Sequence, residues 1–349
     1  MTKRITAIVA ALTLIGLVSA FWGKQHISSF SDRPIALAAE TVYELKPGSS
    51  FTKLAEDLEN NSIVDDAFQL RIYARLSKNA QRVKSGEYRI VPGISHKQLI
   101  ELFVSGKVLQ RQLTLVEGLR AQDYLKELAA NTDVVQTLDG QSTADIATIL
   151  GIPGAKLEGW IYPDTYSYTK STRDIDLLKR AYKTMTQVLQ DEWAKREPNL
   201  PFKTPYDALI LASIVEKETA AIEERAEIAG VFVRRLNKNM RLQTDPTVIY
   251  GLGASYNGNI TRADLKAKTP YNTYRIVGLT PTPIANPGRA AIHAVLHPAP
   301  GKALYFVAKG NGRHQFSATY AEHVRAVQRF QRSKRRKDYR SVPQSTSAK

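Results

Sequence analysis

Two carboxylates separated by one lysine, Glu216 and Glu218, close an apolar stretch that runs through Leu209, Ile210, Leu211, Ala212, Ile214 and Val215. Residues 206–225 read as one helix. Its middle is apolar around nearly the whole circumference, which requires burial. Two positions apart on a helix, the carboxylates point to nearly opposite faces and cannot act as a closely facing pair. Glu218 shares its face with Leu211, Ile214 and Val215, whereas Glu216 lines up with Ala212 and Ser213. A carboxyl on an apolar face is poorly solvated, which penalises its charged form and raises its pKa. Glycosidic cleavage needs an acid that is protonated near neutral pH and can afterwards take a proton back. Glu218 is therefore the candidate acid/base. Spacing alone leaves a plainer alternative open, in which both glutamates end a surface helix beside Lys217.

Downstream segments mix hydrogen-bonding side chains with turn formers and read as loops shaping a polar cleft. They offer Gln243, Asp245 and Thr247, then Tyr271, Asn272 and Tyr274, then Asn286. Residues 303–308 form a short buried strand, and residues 310–317 resemble a hairpin returning to it, which adds His314 to the candidate substrate contacts. Upstream, residues 157–168 place Trp160, Tyr162, Tyr166 and Tyr168 among carboxylates and hydroxyls. Aromatic faces stack on pyranose rings, so Trp160 and Tyr166 are candidates for a sugar-binding wall. An aromatic run of this kind also suits a core strand.

Composition removes several chemistries. The chain has no cysteine, which excludes disulfides, thiolate metal sites and cysteine nucleophiles. His293 and His297 have the spacing of a metal-ligand pair. The residues between them are Ala294, Val295 and Leu296, without the glutamate of a metalloprotease motif, and Pro298 follows at once. No metal and no cofactor is expected. The formal net charge of +16 favours polyanions. Much of it lies in Arg325, Arg329, Arg332, Lys334, Arg335, Arg336, Lys337 and Arg340, which read as a helix end running into a disordered tail. No nucleic-acid motif accompanies the charge.

The elements that must position these residues follow from a pattern used three times. A strand-like run reaches a glycine, at Gly48, Gly93 and Gly118, and an apolar pair follows six and ten residues later. The pairs are Leu54 and Leu58, Leu99 and Phe103, and Tyr124 and Leu128, each on one helix face. A further helix is expected over residues 67–76. Strand, helix, helix, strand over residues 41–91 is the order of a LysM-like module. At the N-terminus, Lys3 and Arg4 precede an apolar run over residues 5–22, long enough to cross a bilayer core. Positive charge on its leading side keeps the N-terminus cytoplasmic. A cleaved signal peptide, with Val18-Ser19-Ala20 as a small-residue site, is the alternative, and both put the folded part outside the cytoplasm.

The expected class is α+β: a transmembrane helix, a small LysM-like βααβ subdomain and a larger α+β catalytic domain. The boundaries read as anchor 1–23, linker 24–39, LysM-like subdomain 40–110, catalytic domain 111–335 and basic tail 336–349.

The segment Ala212-Ser213-Ile214-Val215-Glu216-Lys217-Glu218-Thr219 resembles the YceG-like (MltG) family of endolytic murein transglycosylases. So do residues 242–251, Tyr271-Asn272-Thr273-Tyr274, Asn286-Pro287-Gly288, the pair His314 and Phe316, and the Leu157-Glu158-Gly159-Trp160 and Pro163-Asp164-Thr165-Tyr166 blocks. The resemblance covers nearly the whole chain. Thr280 and Val324 depart from it, where the family often has proline and asparagine. It implies that Glu218, the second glutamate of the pair, is catalytic. It implies cleavage between N-acetylmuramic acid and N-acetylglucosamine by attack of the muramic acid's own C6 hydroxyl, leaving a 1,6-anhydro end. It also implies a glycan-strand substrate, a single-pass inner-membrane setting with the catalytic domain outside the cytoplasm, a role in ending strand growth, and peptidoglycan synthases as candidate partners. Two rivals remain at this stage besides a zinc-dependent amidase or endopeptidase. One is a non-catalytic peptidoglycan-binding scaffold. The other is a nucleic-acid binder, which conflicts with an outward topology.

Overall fold

The structure is a computed structural model and describes residues 2–333. The chain divides into two units. The first comprises residues through Arg111 together with Ser167–Ser171, and the second comprises Gln112–Tyr166 and everything from Thr172 onward.

In the first unit α1 (Thr2–Asp32) precedes β1 (Thr41–Leu45), α2 (Phe51–Asn60), α3 (Ala67–Leu76), β2 (Gly86–Ile90) and α4 (His96–Ser105). β1 and β2 pair antiparallel, with Tyr43 opposite Tyr88. The strand–helix–helix–strand order is thus present. Leu54, Leu58, Leu99 and Phe103 are all buried, and Tyr88 meets Phe103 edge-on at 4.8 Å. Local sequence sets the helix limits. Ser50 caps α2 through Lys53 N, Ser95 and Gln98 form a capping box on α4, and Gly106 ends α4 at φ 70°. Residues 24–32, expected to belong to a linker, instead continue α1, and Phe30 is buried against His96 at 4.1 Å between ring centres. That contact ties the end of α1 to the start of α4. Part of the expected anchor, residues 5–22, has side chains outside the described residues; no described helix is long and apolar enough to cross a membrane. The expected tail, residues 336–349, also lies outside the described residues.

The second unit contains β3 (Arg111–Thr114) from Gln112 onward, α5 (Ala121–Ala130), α6 (Thr143–Ile149), the first half of β4 (Thr165–Tyr168), α7 (Asp174–Ala194), α8 (Pro205–Glu218), α9 (Arg225–Asn237), α10 (Asp245–Leu252), α11 (Arg262–Lys266), α12 (Arg289–Leu296), β5 (Tyr305–Ala308), β6 (His314–Ser317) and α13 (Tyr320–Val327). α8 is its central element. Every residue from Ala208 to Val215 is buried, among side chains of α7, α9 and α12. Pro205 stands at its first turn, and Thr204 and Asp207 form a capping box. The helix does not continue to residue 225. It stops at Glu218, and Thr219 takes an extended conformation (φ −146°, ψ 137°) while its hydroxyl accepts Ala221 N at 3.0 Å. The chain then restarts as α9. β5 and β6 form the expected antiparallel hairpin, with Ala308 opposite His314.

Gly159 shows how tightly the second unit closes. Its φ is +84°, and an added Cβ would lie 2.4 Å from Pro283 Cγ. Gly159→Ala is expected to lower stability by on the order of 2–4 kcal/mol, from backbone strain and overpacking together. Gly140→Ala, at φ +72° with open space around it, should cost only the backbone part, on the order of 1 kcal/mol. Equal losses in thermal unfolding would remove the packing argument.

Candidate active site

Glu218 is the last residue of α8, and its side chain enters a polar cavity of about 550 Å³. Arg235 of α9, Gln243, Thr244, Asp245 at the start of α10, Tyr274, and His314 of the hairpin line the same space. Thr244 Oγ1 donates to Glu218 Oε1. Burial pushes the Glu218 carboxyl up to about 7, and nearby Asp245 adds to the rise, while the Thr244 hydroxyl and Arg235 oppose it. The helix end acts in the same direction as burial, because the carbonyl dipoles of a C-terminus disfavour a negative charge. Arg235 cannot fully neutralise the carboxyl. Its guanidinium is committed to backbone carbonyls, donating to Leu304 at 2.7 Å, Leu242 at 2.8 Å and Arg241 at 3.1 Å.

A hydroxyl network fixes the group that touches Glu218. Thr244 N donates to Thr273 Oγ1 at 3.0 Å, and Thr247 Oγ1 donates to Thr244 O at 2.8 Å. Gln243, just before, has φ +53°, a conformation costly for a residue with a side chain. Its N–H donates to Thr273 O at 3.1 Å, so the loop is held where Thr244 and Asp245 face the carboxyl.

Glu216 points elsewhere, as the helix wheel requires. Its Oε1 accepts Arg225 Nη2 at 2.7 Å and its Oε2 accepts Gly288 N at 3.1 Å. Both side chains of this ion pair are buried. Glu216 is a compensated structural carboxylate that ties α8 to α9 and to the start of α12.

Of the other candidates, Gln243, Asp245, Tyr274 and His314 join Glu218 at the cavity, and Tyr274 Oη donates to Asp245 Oδ1 at 2.6 Å. Asp245 is thus a second carboxylate in the site, contributed by another element. Thr247, Asn272 and Asn286 are fully buried supports rather than substrate contacts. Asn272 Nδ2 donates to the carbonyls of Asp264, Leu265 and Ala267. Asn286 binds Ile161 N, Leu119 O and Glu158. Tyr271 lies at a different cavity, of about 420 Å³, beside Tyr250 and Glu158. The aromatic run packs inward instead, with Tyr166 in the core and Trp160 half-buried. Tyr166 is buried and donates to Tyr162 O at 2.7 Å, and Trp160 stacks on Tyr206 at 5.6 Å with Tyr182 at its edge. Tyr206 of α8 takes one face of the Trp160 ring, a face that a sugar would need.

Sequence reasoning missed Thr244, Arg235 and Glu224, which accepts from His314. Thr244 sits inside a loop already singled out, but it carries no titratable group. Glu224 was hidden in what read as the end of one long helix. Glu158 was also missed. It is half-buried, accepts Ala121 N at 2.9 Å at the start of α5, and is pushed up to about 7 chiefly by desolvation. The pair His293 and His297 gains a third donor, Glu192 of α7, with ligand atoms within 4.8 Å of one another. Both Glu192 oxygens are already matched, by Arg289 at 2.7 Å and His293 at 2.8 Å, whereas His297 Nε2 is buried without a hydrogen-bond partner among the described residues.

The model of the YceG-like family matches residues 43–329. The chain is 30% identical over 308 residues to the endolytic murein transglycosylase of Bacillus subtilis (strain 168), covering 83% of this chain and 84% of that protein. It is 29% identical over 363 residues to the endolytic murein transglycosylase of Streptococcus pneumoniae serotype 2 (strain D39), covering 91% of this chain and 65% of that longer protein. Among solved structures it is similar to a yceG-like protein from Listeria monocytogenes, with a TM-score of 0.53, 28% identity, and 83% and 99% of the two chains covered.

The raised Glu218 carboxyl makes a stability prediction. A carboxyl whose folded pKa exceeds its unfolded value destabilises the fold as pH rises from the unfolded value through the folded one. Glu218→Gln removes that titration. The variant is expected to match the wild type near pH 4 and to become more stable by on the order of 1–3 kcal/mol by pH 8. A stability difference that is flat across this range, measured by denaturant unfolding, would show that burial does not shift the group.

Proposed function

The chain belongs to the YceG-like family, and from that premise we propose how it acts as an endolytic murein transglycosylase, a lyase that cuts peptidoglycan glycan strands. The observation that carries the mechanism is the raised carboxyl of Glu218, facing a polar cavity that it shares with Asp245. In its protonated form Glu218 donates to the glycosidic oxygen leaving C1 of N-acetylmuramic acid. The C6 hydroxyl of the same residue attacks C1, and its proton is taken up as the 1,6-anhydro ring closes. Intramolecular attack spares the enzyme the task of positioning water. Asp245 places negative charge near the oxocarbenium-like centre that develops at C1, with its orientation fixed by Tyr274. Cutting within nascent strands ends their elongation.

For the setting, we propose that residues 5–22 anchor the chain in the inner membrane as a single pass, with both folded units on the outer side. The apolar run behind Lys3 and Arg4 supports this. A reporter active only outside the cytoplasm, fused after Lys24, is expected to be active, and the chain should stay in the membrane pellet after a salt wash. A soluble mature form beginning near Phe21 would replace the anchor with a signal peptide. Peptidoglycan synthases, which share that membrane surface, are the proposed partners.

Incubation with purified sacculi, followed by mass spectrometry of the muropeptides, tests the chemistry. Wild type should release 1,6-anhydro ends at a rate that falls as pH rises through about 7, where Glu218 loses its proton. Glu218→Gln should lose about 10²–10⁴-fold in rate while remaining folded. Glu216→Gln should retain the chemistry of its folded fraction but lose on the order of 1–3 kcal/mol of stability, because the buried Arg225 keeps only the more exposed Glu117, at 3.6 Å, as a charge partner. Full turnover by Glu218→Gln would refute the assignment.

A further inference from the structure

A second proton-handling group faces the Glu218 cavity. His314 opens β6 at the mouth of the β5–β6 hairpin and lines the cavity with Glu218 and Asp245. Its ring is only 10% exposed, and its Nδ1 lies 2.8 Å from Glu224 Oε2, itself 10% exposed. Glu224 also accepts the backbone N–H of His314, at 3.1 Å to each oxygen. Phe306 packs edge-on against the ring at 5.4 Å. A carboxylate can only accept, so Nδ1 carries the hydrogen, and in the neutral ring the lone pair is on Nε2. The orientation is locked from three directions: ring, backbone and aromatic edge.

His323 lines the same cavity and provides a contrast. It stacks on Tyr305 at 5.2 Å, and its buried Nδ1 has no hydrogen-bond partner among the described residues. No carboxylate selects its tautomer. Of the two imidazoles, only His314 is built as an oriented base.

We propose that His314, held by Glu224, is the catalytic base for the C6 hydroxyl, so that the proton-donating and proton-accepting roles fall to different residues. The inference rests on the reading of Glu218 as the acid. As the C1–O bond to the leaving sugar breaks, Glu218 passes its proton to the departing oxygen and becomes a carboxylate. As the bond from O6 to C1 forms, the O6 proton moves to His314 Nε2. The resulting imidazolium is stabilised by Glu224. Proton exchange from His314 back to Glu218, directly or through solvent, resets the site without any outside reagent. Glu224 touches no reacting atom and is a positioning residue.

The test uses the full-length protein on purified sacculi and reads both rate and product. His314→Gln is expected to lose about 10²–10⁴-fold in rate. Its residual products should shift from 1,6-anhydro ends toward hydrolysed reducing ends, because O6 no longer outcompetes water. Glu224→Gln should shift the product ratio in the same direction with a smaller rate loss, and Glu224→Asp should restore part of both. Where residual product is too scarce to partition, added imidazole should restore cleavage to His314→Ala. A folded His314→Gln that keeps near-normal rate and purely anhydro products overturns the inference, as does failure of imidazole to rescue a folded His314→Ala. Glu218→Gln run in parallel separates the two claims. If it is active, the acid assignment fails. If it is inactive while His314→Gln is normal, only the role of His314 fails.

Discussion

The last turn of α8 holds a carboxyl that its surroundings solvate poorly, and the second unit is organised around that group. Eight consecutive residues of the helix, Ala208 to Val215, are buried, so the helix axis is fixed by packing on several sides at once. Glu218 then emerges at a defined point in the wall of the cavity. Burial of the helix and the perturbed acidity of its terminal residue are one constraint seen at two levels.

Glu216 and Glu218 illustrate how neighbouring carboxyls acquire different roles. Both are pushed upward by burial. For Glu216 a buried guanidinium and a backbone N–H offset the cost, so the group holds elements together. For Glu218 the nearest cation, Arg235, has its hydrogen bonds directed at the main chain, and a second carboxylate, Asp245, stands close by. The offset is incomplete, and a proton near neutral pH is the consequence. The stability lost there is what suits the group to the proposed role of acid. The neighbouring left-handed Gln243 is a second local cost at the same place, held by the Thr244–Thr247–Thr273 hydroxyl network.

The cavity is assembled from distant segments. α9 supplies Arg235, the start of α10 supplies Asp245, and the β5–β6 hairpin supplies His314. Several residues that carry the family resemblance act as fasteners instead. Asn272 closes the turn that follows α11, Asn286 and Glu158 clamp the start of α5, and Trp160 is stacked between helices. The side-chain amides of Asn272 and Asn286 are engaged within the protein, and Trp160 Nε1 is buried without a hydrogen-bond partner among the described residues.

Local order was legible because its determinants are local. Apolar pairs four residues apart placed α2, α4 and α5 and their buried faces, and the opposed directions of Glu216 and Glu218 followed from helical geometry alone. Where α8 stops was not legible. The run from Tyr206 to Arg225 is helix-compatible throughout, and the break at Thr219 depends on a side-chain hydrogen bond and on the packing of α9. Nor could spacing tell a substrate contact from a buried fastener. Asn272 and Tyr274 lie two residues apart in one loop, yet one is buried on main-chain carbonyls and the other faces the cavity. The sequence by itself determined which residue types were available and which helix face Glu218 shares. Only the tertiary structure decided that Asp245 and His314 meet Glu218, because that convergence depends on how α9, α10 and the hairpin pack around the end of α8, and packing between distant segments leaves no periodic trace in the chain.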